Sequence, residues 1–325
     1  MLPSRPYQSK MGRDIDAAYD HGARDVLAVL PTGAGKTFVF SDLITRHNVP
    51  AAAVAHRSEL VAQMSLALAR NGVRHRVVGP ASVAASCRAA HIDELGQHFV
   101  DPSAKVGVCG IDTLVRLPES DPWLRQVRLV VTDEAHHLVS TTKWGKGRAM
   151  FPNAIGLGVT ATPLRADGKG LGRHADGVFD EMIVGPGMRD LIEMGYLTDY
   201  RIFAPSSDID LSAVTSSAGG DYSPDKLRDA VHKSRTIVGD VVGHYLAHAA
   251  GKLGVTFAVD IEAATEICEA YRAAGVRSEI ITGKTPDDQR RRLMTKFKNR
   301  QIYNIVNVDL FGEGTDIPAL EVVSF

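Results

Sequence analysis

The stretch Leu30-Pro31-Thr32-Gly33-Ala34-Gly35-Lys36-Thr37 constrains this chain more than any other. It follows the apolar run Val26 to Leu30 and leads into a helix expected from Thr37 to about His47, so the local order is strand, glycine loop, helix. Gly33 and Gly35 let the backbone curl until successive N–H groups point inward at an anion. The helix N-terminus adds partial positive charge at the same spot. Lys36 is placed to reach the β- and γ-phosphates of a nucleoside triphosphate, and the Thr37 hydroxyl to sit on Mg²⁺. Leu30 stands where the strict G-x-x-x-x-G-K-[ST] pattern has its first glycine.

A second acidic site points the same way. Arg128-Leu129-Val130-Val131-Thr132 reads as a buried strand, β-branched and continuous as central parallel strands are. It runs into Asp133-Glu134-Ala135-His136, and the C-terminal ends of such strands are where open α/β sheets bind ligands. Asp133 suits the Mg²⁺ shell as a hard oxygen ligand. Glu134 suits the general base that orients and deprotonates an attacking water. An acidic helix N-cap is the bland explanation of such a pair, and the phosphate loop upstream argues against it.

Together, Pro31 to Thr37 and Asp133-Glu134-Ala135-His136 resemble the DEAH-type helicases of superfamily 2, and further pieces fall in that family's order. Arg5-Pro6-Tyr7-Gln8 resembles the adenine-reading segment, with Gln8 as the base contact. Ala55-His56-Arg57-Ser58 through Gln63 resembles motif Ia, a nucleic-acid backbone contact, and Gly110-Ile111-Asp112-Thr113-Leu114 motif Ib. Gly158-Val159-Thr160-Ala161-Thr162-Pro163 resembles motif III, which links hydrolysis to strand movement. Thr256-Phe257-Ala258-Val259-Asp260 resembles motif IV, and Gly312-Glu313-Gly314-Thr315-Asp316-Ile317-Pro318 motif V. The resemblance covers the chain from Arg5 to Phe325.

The resemblance implies an α/β fold of two RecA-like P-loop NTPase lobes with parallel sheets, residues 1–197 and 198–325. ATP would lie between them with Mg²⁺. Thr32, Gly33, Ala34, Gly35, Lys36, Thr37, Asp133 and Glu134 would come from the first lobe, and Gly314 and Asp316 from the second. A nucleic-acid strand would be held mainly by its phosphates, through Arg57, Thr113 and Thr256, with little sequence preference. His136, Thr160 and Thr162 would couple nucleotide to strand. The family's motif VI, with a Gln and two Arg, follows motif V by a strand and a helix, whereas this sequence ends at Phe325 after the apparent strand Leu320 to Phe325. The expectation is therefore a second lobe incomplete before motif VI. Either the chain is a fragment or natural truncation, or another chain supplies the arginine; because an arginine finger is worth about 10³–10⁵ in turnover, nucleotide binding is expected to survive better than hydrolysis.

Bulk properties fit this reading without adding to it. A chain of 325 residues is natural for two domains, and 44% hydrophobic with 23% charged residues is ordinary for globular proteins. A net charge of −1 and a pI near 6.9 give no support for a wholly basic nucleic-acid binder, though a local groove can still be basic. The 3 cysteines, Cys87, Cys109 and Cys268, have neither metal-ligand spacing nor a disulfide framework. With no signal pattern and no long apolar run, a cytoplasmic protein without membrane contact is expected.

Strand and helix patterns alternate throughout. Strands are expected at Val26–Leu30, Ala51–Ala55, Lys105–Cys109, Val127–Thr132 and Ile155–Thr160, with a helix from Ser58 to Arg70 whose Leu60, Val61, Met64 and Leu68 form a core face. Leu164 to Gly187 reads as irregular and glycine-rich. Arg201 to Ala204 reads as a strand, Pro205 to Ser223 as a linker, and Ser223 to about Ala250 as a helix stopped by Gly251. Strands at Val255–Val259, Glu279–Thr282 and Tyr303–Val308 then alternate with helices at Ile261–Ala274 and Pro286–Lys298. Lys143-Trp144-Gly145-Lys146-Gly147-Arg148 either stacks a base or is a solvated basic loop over a packed Trp. Arg290, Arg291, Arg292, Lys296 and Lys298 make one helix basic, as a strand contact or a solvated face.

Three other functions compete. One is the motor subunit of a restriction or defence system that moves on DNA without separating strands. Another is a hydrolysis-deficient remnant acting as a nucleotide-dependent nucleic-acid-binding module. A small-molecule kinase is the third, and it conflicts with the strand-end Asp-Glu-Ala-His. DNA is favoured over RNA because the motif set resembles the restriction-helicase and phage-helicase branch.

Overall fold

The structure is a computed structural model that describes residues 4–165, 168–204, 237–308, 317 and 319–325. The chain divides into two compact units, Met1–Arg201 and Ile202–Phe325. In the first, the elements run α1 (Pro6–Asp20), β1 (Asp25–Val29), α2 (Lys36–His47), β2 (Ala51–Ala55), α3 (Ser58–Arg70), β3 (His75–Val78) and α4 (Ala81–Leu95). They continue with β4 (Val106–Gly110), α5 (Ile111–Leu114), α6 (Pro122–Gln126), β5 (Leu129–Thr132), α7 (Lys143–Ala149), β6 (Ile155–Thr160), β7 (Glu181–Val184) and α8 (Met188–Glu193). The second unit holds α9 (Ile237–Ala249), β8 (Gly254–Phe257), α10 (Ile261–Ala273), β9 (Ser278–Thr282), α11 (Asp287–Lys298), β10 (Asn304–Val308) and β11 (Val322–Ser324).

The first unit's 7-stranded sheet has the order β3-β4-β2-β5-β6-β1-β7, and each described pairing is parallel. Strand alternation splits its core into two layers. Val26 and Ala28 of β1 face one cluster with Met11, Ile15, Phe40, Leu43 and Ile44, while Leu27 and Val29 face another with Trp123, Trp144, Phe151 and Phe179. Helices α1 to α4 therefore cover one face and α5 to α7 the other. This double cover explains why the central strands read as unbroken apolar runs. Leu60, Val61, Met64 and Leu68 are buried as their helical spacing requires.

The second unit has a 4-stranded parallel sheet of order β11-β8-β10-β9. Val242, Tyr245, Ile267 and Tyr271 of α9 and α10 pack on one face, and Leu293 and Phe297 of α11 on the other. Arg291, Arg292, Lys296 and Lys298 of α11 are exposed.

Several expectations change. Arg201 to Ala204 joins no sheet, and all four residues are exposed, so no neighbouring strand covers them. The segment after β6 is not irregular throughout, because Glu181–Val184 pairs in parallel with β1 as an edge strand. The basic segment around Trp144 is helix α7, with Trp144 only 6% exposed, so its ring is core and not an open stacking surface. Residues 205–236, covering the expected linker and the start of the following helix, lie outside the described residues, as do Gly314 and Asp316 of the motif V stretch. Among the described residues no helix is long and apolar enough to cross a membrane.

Candidate nucleotide and nucleic-acid site

Sheet order decides which loops meet. Strands β5, β6 and β1 are neighbours, and because they are parallel their C-terminal ends share one edge. The loop Leu30–Thr37 leaves β1 there, Asp133 and Glu134 leave β5, and Thr160 closes β6. The edge continues through β2 and β4, whose C-terminal ends lead to Arg57 and Thr113. One edge thus carries the phosphate-loop residues on one half and the two strand-contact candidates of this unit on the other.

Gly33 and Gly35 have φ of 80° and 86°, the left-handed region that costs a side chain energy. A Cβ on Gly33 would sit 2.9 Å from Leu197 Cδ2, and one on Gly35 would collide with the Gln8 side-chain nitrogen. Ala34 is fully buried, Thr32 is exposed, and Lys36 and Thr37 open α2 half-buried. The Ala34 carbonyl accepts from both Tyr7 Oη at 2.7 Å and Gln8 Nε2 at 3.0 Å. Gln8 Oε1 in turn accepts from the Arg5 N–H at 3.0 Å. Gln8 is 6% exposed and ties α1 to the loop.

Tyr7 belongs to the segment expected here, whereas the Tyr196-Leu197 segment was not expected. Arg5 donates to Tyr7 Oη at 3.0 Å and lies 5.0 Å over the Tyr196 ring, which meets Tyr7 edge-on at 5.3 Å. Tyr7 had a local signal, lying beside Gln8. Tyr196 had none, since only the path of the chain after α8 brings it back to α1.

The charged groups lie close together and partly buried. Asp133 is 9% exposed, and burial pushes its carboxyl up, against the pull of the Glu134 N–H (3.0 Å from Oδ1) and of Lys36. Burial likewise pushes the Lys36 ammonium down, opposed by Glu134 and Asp133. The Lys36 Nζ lies 3.5 Å from the Leu30 carbonyl. Glu134 adopts φ 48°, ψ 50°, left-handed for a residue with a Cβ. Backbone strain of this kind costs about 1–3 kcal/mol and collects at functional sites. His136 Nδ1 lies 3.2 Å from Thr160 Oγ1 and 3.5 Å from Glu134 Oε2. Thr160 is fully buried, and its Oγ1 donates to the Thr162 carbonyl and accepts from the Thr162 N–H, each at 3.1 Å.

These residues fit a nucleotide polyphosphate with a divalent cation. The left-handed glycines leave a cradle that a Cβ would fill, at the N-terminus of α2 where four N–H groups lack helical partners. Among the described residues no group of three or more His, Cys, Asp and Glu side chains could hold a metal by itself. Mg²⁺ held by one carboxylate, a hydroxyl and phosphate oxygens needs no such group.

Arg57 is half-buried at the N-cap of α3, and Thr113 is half-buried in α5. Thr256 does not reach any surface. It is fully buried in β8, with Oγ1 at 3.2 Å from Tyr271 Oη and 3.1 Å from Asn304 Nδ2. Its hydroxyl satisfies buried polar neighbours inside the sheet, so a phosphate contact through this side chain is withdrawn.

Comparison with known proteins follows the same lines. Residues 1–165 match the family described as type III restriction enzyme, res subunit, and residues 240–325 match the helicase conserved C-terminal domain. A 51.5 kDa protein of a Lactococcus phage is 36% identical over 196 residues, covering 60% of this chain and 41% of the phage protein. The putative mitochondrial ATP-dependent helicase irc3 of Schizosaccharomyces pombe is 28% identical, covering 98% of this chain and 51% of its own length. The chain thus spans about half the length of these curated relatives. The structure of Mycobacterium smegmatis helicase Lhr, solved bound to ssDNA and AMP-PNP, has the same fold at TM-score 0.58 and 16% identity, over 99% of this chain and 42% of that one.

Proposed function

The chain belongs to the superfamily 2 helicases, and on that premise we propose that it is an ATP-driven motor that moves on nucleic acid, DNA in preference to RNA. Residues 1–197 form its ATP-binding lobe and 198–325 its second lobe. The observation that carries the reading is the convergence of Lys36, Thr37, Asp133, Glu134 and the His136–Thr160 contact on the shared edge of β1, β5 and β6.

When bound, MgATP supplies the scissile phosphoanhydride and the charge that the buried groups lack. Loop N–H groups from Thr32 to Lys36 hold the phosphates, with Lys36 neutralising their charge and Gln8 facing the base. Thr37 and Asp133 would hold the cation. Glu134 would take the proton of the attacking water as the bond to the ADP leaving group breaks. His136 joins Glu134 to Thr160, so a change at the carboxylate reaches the strand leading to Thr162. Arg57 and Thr113 hold the phosphate backbone of the strand.

ATP turnover with and without single-stranded DNA or RNA tests this, beside Lys36→Ala and Glu134→Gln. Glu134→Gln should lower turnover by about 10²–10⁴, the usual weight of a general base, while ATP still binds. Lys36→Ala should abolish both. Turnover unaffected by either substitution would refute the site, and turnover indifferent to any nucleic acid would refute the motor.

A further inference from the structure

Between the two halves of the sheet edge lies an aromatic bridge that the motif comparison does not assign. His137, directly after the Asp133–His136 stretch, stacks on the Trp144 indole at 5.8 Å with an interplanar angle of 16°. The His136 ring is 4.1 Å from that of His137, tilted by 47°. His56, which precedes Arg57 at the end of β2, meets His137 at 5.7 Å and Trp144 at 6.0 Å, both edge-on. Strand register sets this meeting, since β2 and β5 pair as far as Val54–Thr132 and the Asp133 N–H donates to the Val54 carbonyl at 3.0 Å.

Trp144 is the fixed member. It is 6% exposed and sits in the core layer with Ile111, Leu114 and Leu138. Its helix α7 starts from a Thr142 cap, whose hydroxyl accepts from the Trp144 N–H at 3.3 Å and donates to the Val139 carbonyl at 2.8 Å. The same helix lies close against α5, which carries Thr113. A Cβ on Gly147 would be 2.5 Å from Ile111 Cδ1, and Lys143 pairs with Asp112 at 2.8 Å. Three segments therefore converge on α7: the carboxylate turn through His137, the Arg57 segment through His56, and the Thr113 helix through Gly147.

We propose that His137, stacked on Trp144, and His56, edge-on to both rings, are positioning residues that couple the nucleotide carboxylates to the nucleic-acid contacts. The inference rests on the motor reading above. A shift of the Ala135–His137 turn tilts the His137 ring against a rigid indole, and the displacement is passed to His56 and the Arg57 it precedes. Packed aromatic groups transmit such shifts because dense interiors respond as units and do not absorb them. Neither His137 nor His56 needs to touch nucleotide or strand.

The test compares His137→Ala, His137→Phe and His56→Ala with the unaltered chain, each checked for folding by circular dichroism. Basal ATP turnover should stay within about twofold, while its stimulation by single-stranded DNA should fall at least about tenfold in both alanine variants, the size of an ordinary coupling between sites. His137→Phe keeps a ring on the indole and should recover most of the stimulation. Unchanged stimulation in His137→Ala overturns the inference, as does an equal loss of basal and stimulated rates. Should the unaltered chain not hydrolyse ATP, the hydrolysis reading fails, and the coupling is read from DNA affinity with and without a non-hydrolysable ATP analogue. An affinity that responds to the analogue in the unaltered chain but not in His137→Ala sustains the inference. An affinity that responds equally in both, or in neither, overturns it.

Discussion

Acidification should destabilise the first unit through one buried histidine cluster. His75 is fully buried at the start of β3, and its Nδ1–H donates to the Val73 carbonyl at 2.9 Å. Its Nε2 must then accept from Ser65 Oγ at 2.7 Å. Ser65 Oγ in turn accepts from Nε2–H of the buried His91 at 3.0 Å, and His91 Nδ1 accepts from the Phe99 N–H at 3.2 Å. Every ring nitrogen is used in one direction, so a proton added to His75 Nε2 would force the Ser65 hydroxyl to turn its own hydrogen away from the ring. Burial, aided by His91, pushes His75 down from the ordinary 6.5 to about 4. The folded state therefore binds fewer protons than the unfolded one between those values. Stability is fully present above about pH 6.5 and is lost as pH falls toward 4. At about 1.4 kcal/mol per pH unit, the loss from His75 reaches about 2 kcal/mol by pH 5 and about 3 kcal/mol by pH 4.

Urea unfolding followed by tryptophan fluorescence reads this unit alone, because both tryptophans of the chain, Trp123 and Trp144, lie in it. His75→Gln removes the titrating group while keeping an amide in the cluster. It should be less stable than the unaltered chain at pH 7.5, with the gap narrowing by about 2 kcal/mol at pH 5. Parallel stability curves for the two proteins across this range would refute the tautomer assignment and the burial argument together.

Two further outcomes follow from packing. Gly35→Ala places a Cβ against the Gln8 side chain at a φ of 86°. It should cost about 1–2 kcal/mol in stability from the left-handed backbone alone and weaken ATP binding at least about tenfold, read by isothermal titration; undiminished affinity would argue against the cradle. Arg148→Met leaves Asp25, only 4% exposed, without the Nε contact at 2.6 Å. The expected loss in urea unfolding is about 3 kcal/mol, the low end for breaking a buried pair, because Arg173 still reaches the other Asp25 oxygen at 3.3 Å. Adding Asp25→Asn should restore part of it, and no restoration would show that the packing of Arg148, and not its charge, matters.

Sequence alone determined the parts whose physics is local. Left-handed glycines, a strand before them and a helix after them are properties of a few consecutive residues, so the Leu30–Thr37 loop was legible, as was the end of β5 at Asp133. The central strands were legible too, because burial on both faces leaves an unbroken apolar run. Edge strands lack that signal. His75–Val78 and Glu181–Val184 keep polar or exposed residues, and nothing in their composition separates them from loop. Helix α4 was hidden for a related reason, since its buried face is Val83, Cys87 and His91, a spacing in which the histidine reads as polar until Ser65 and His75 are beside it. What each side chain touches was decided only by the tertiary structure. Thr256 sits at the expected place in the chain, yet the pairing of β8 with β10 encloses its hydroxyl against Asn304. Trp144 lies in a basic stretch, yet the packing of α7 on α5 turns its ring inward to meet His137 and His56. Whether a residue on a strand or short helix faces solvent or core depends on which elements cover it, and that covering comes from segments distant in the chain.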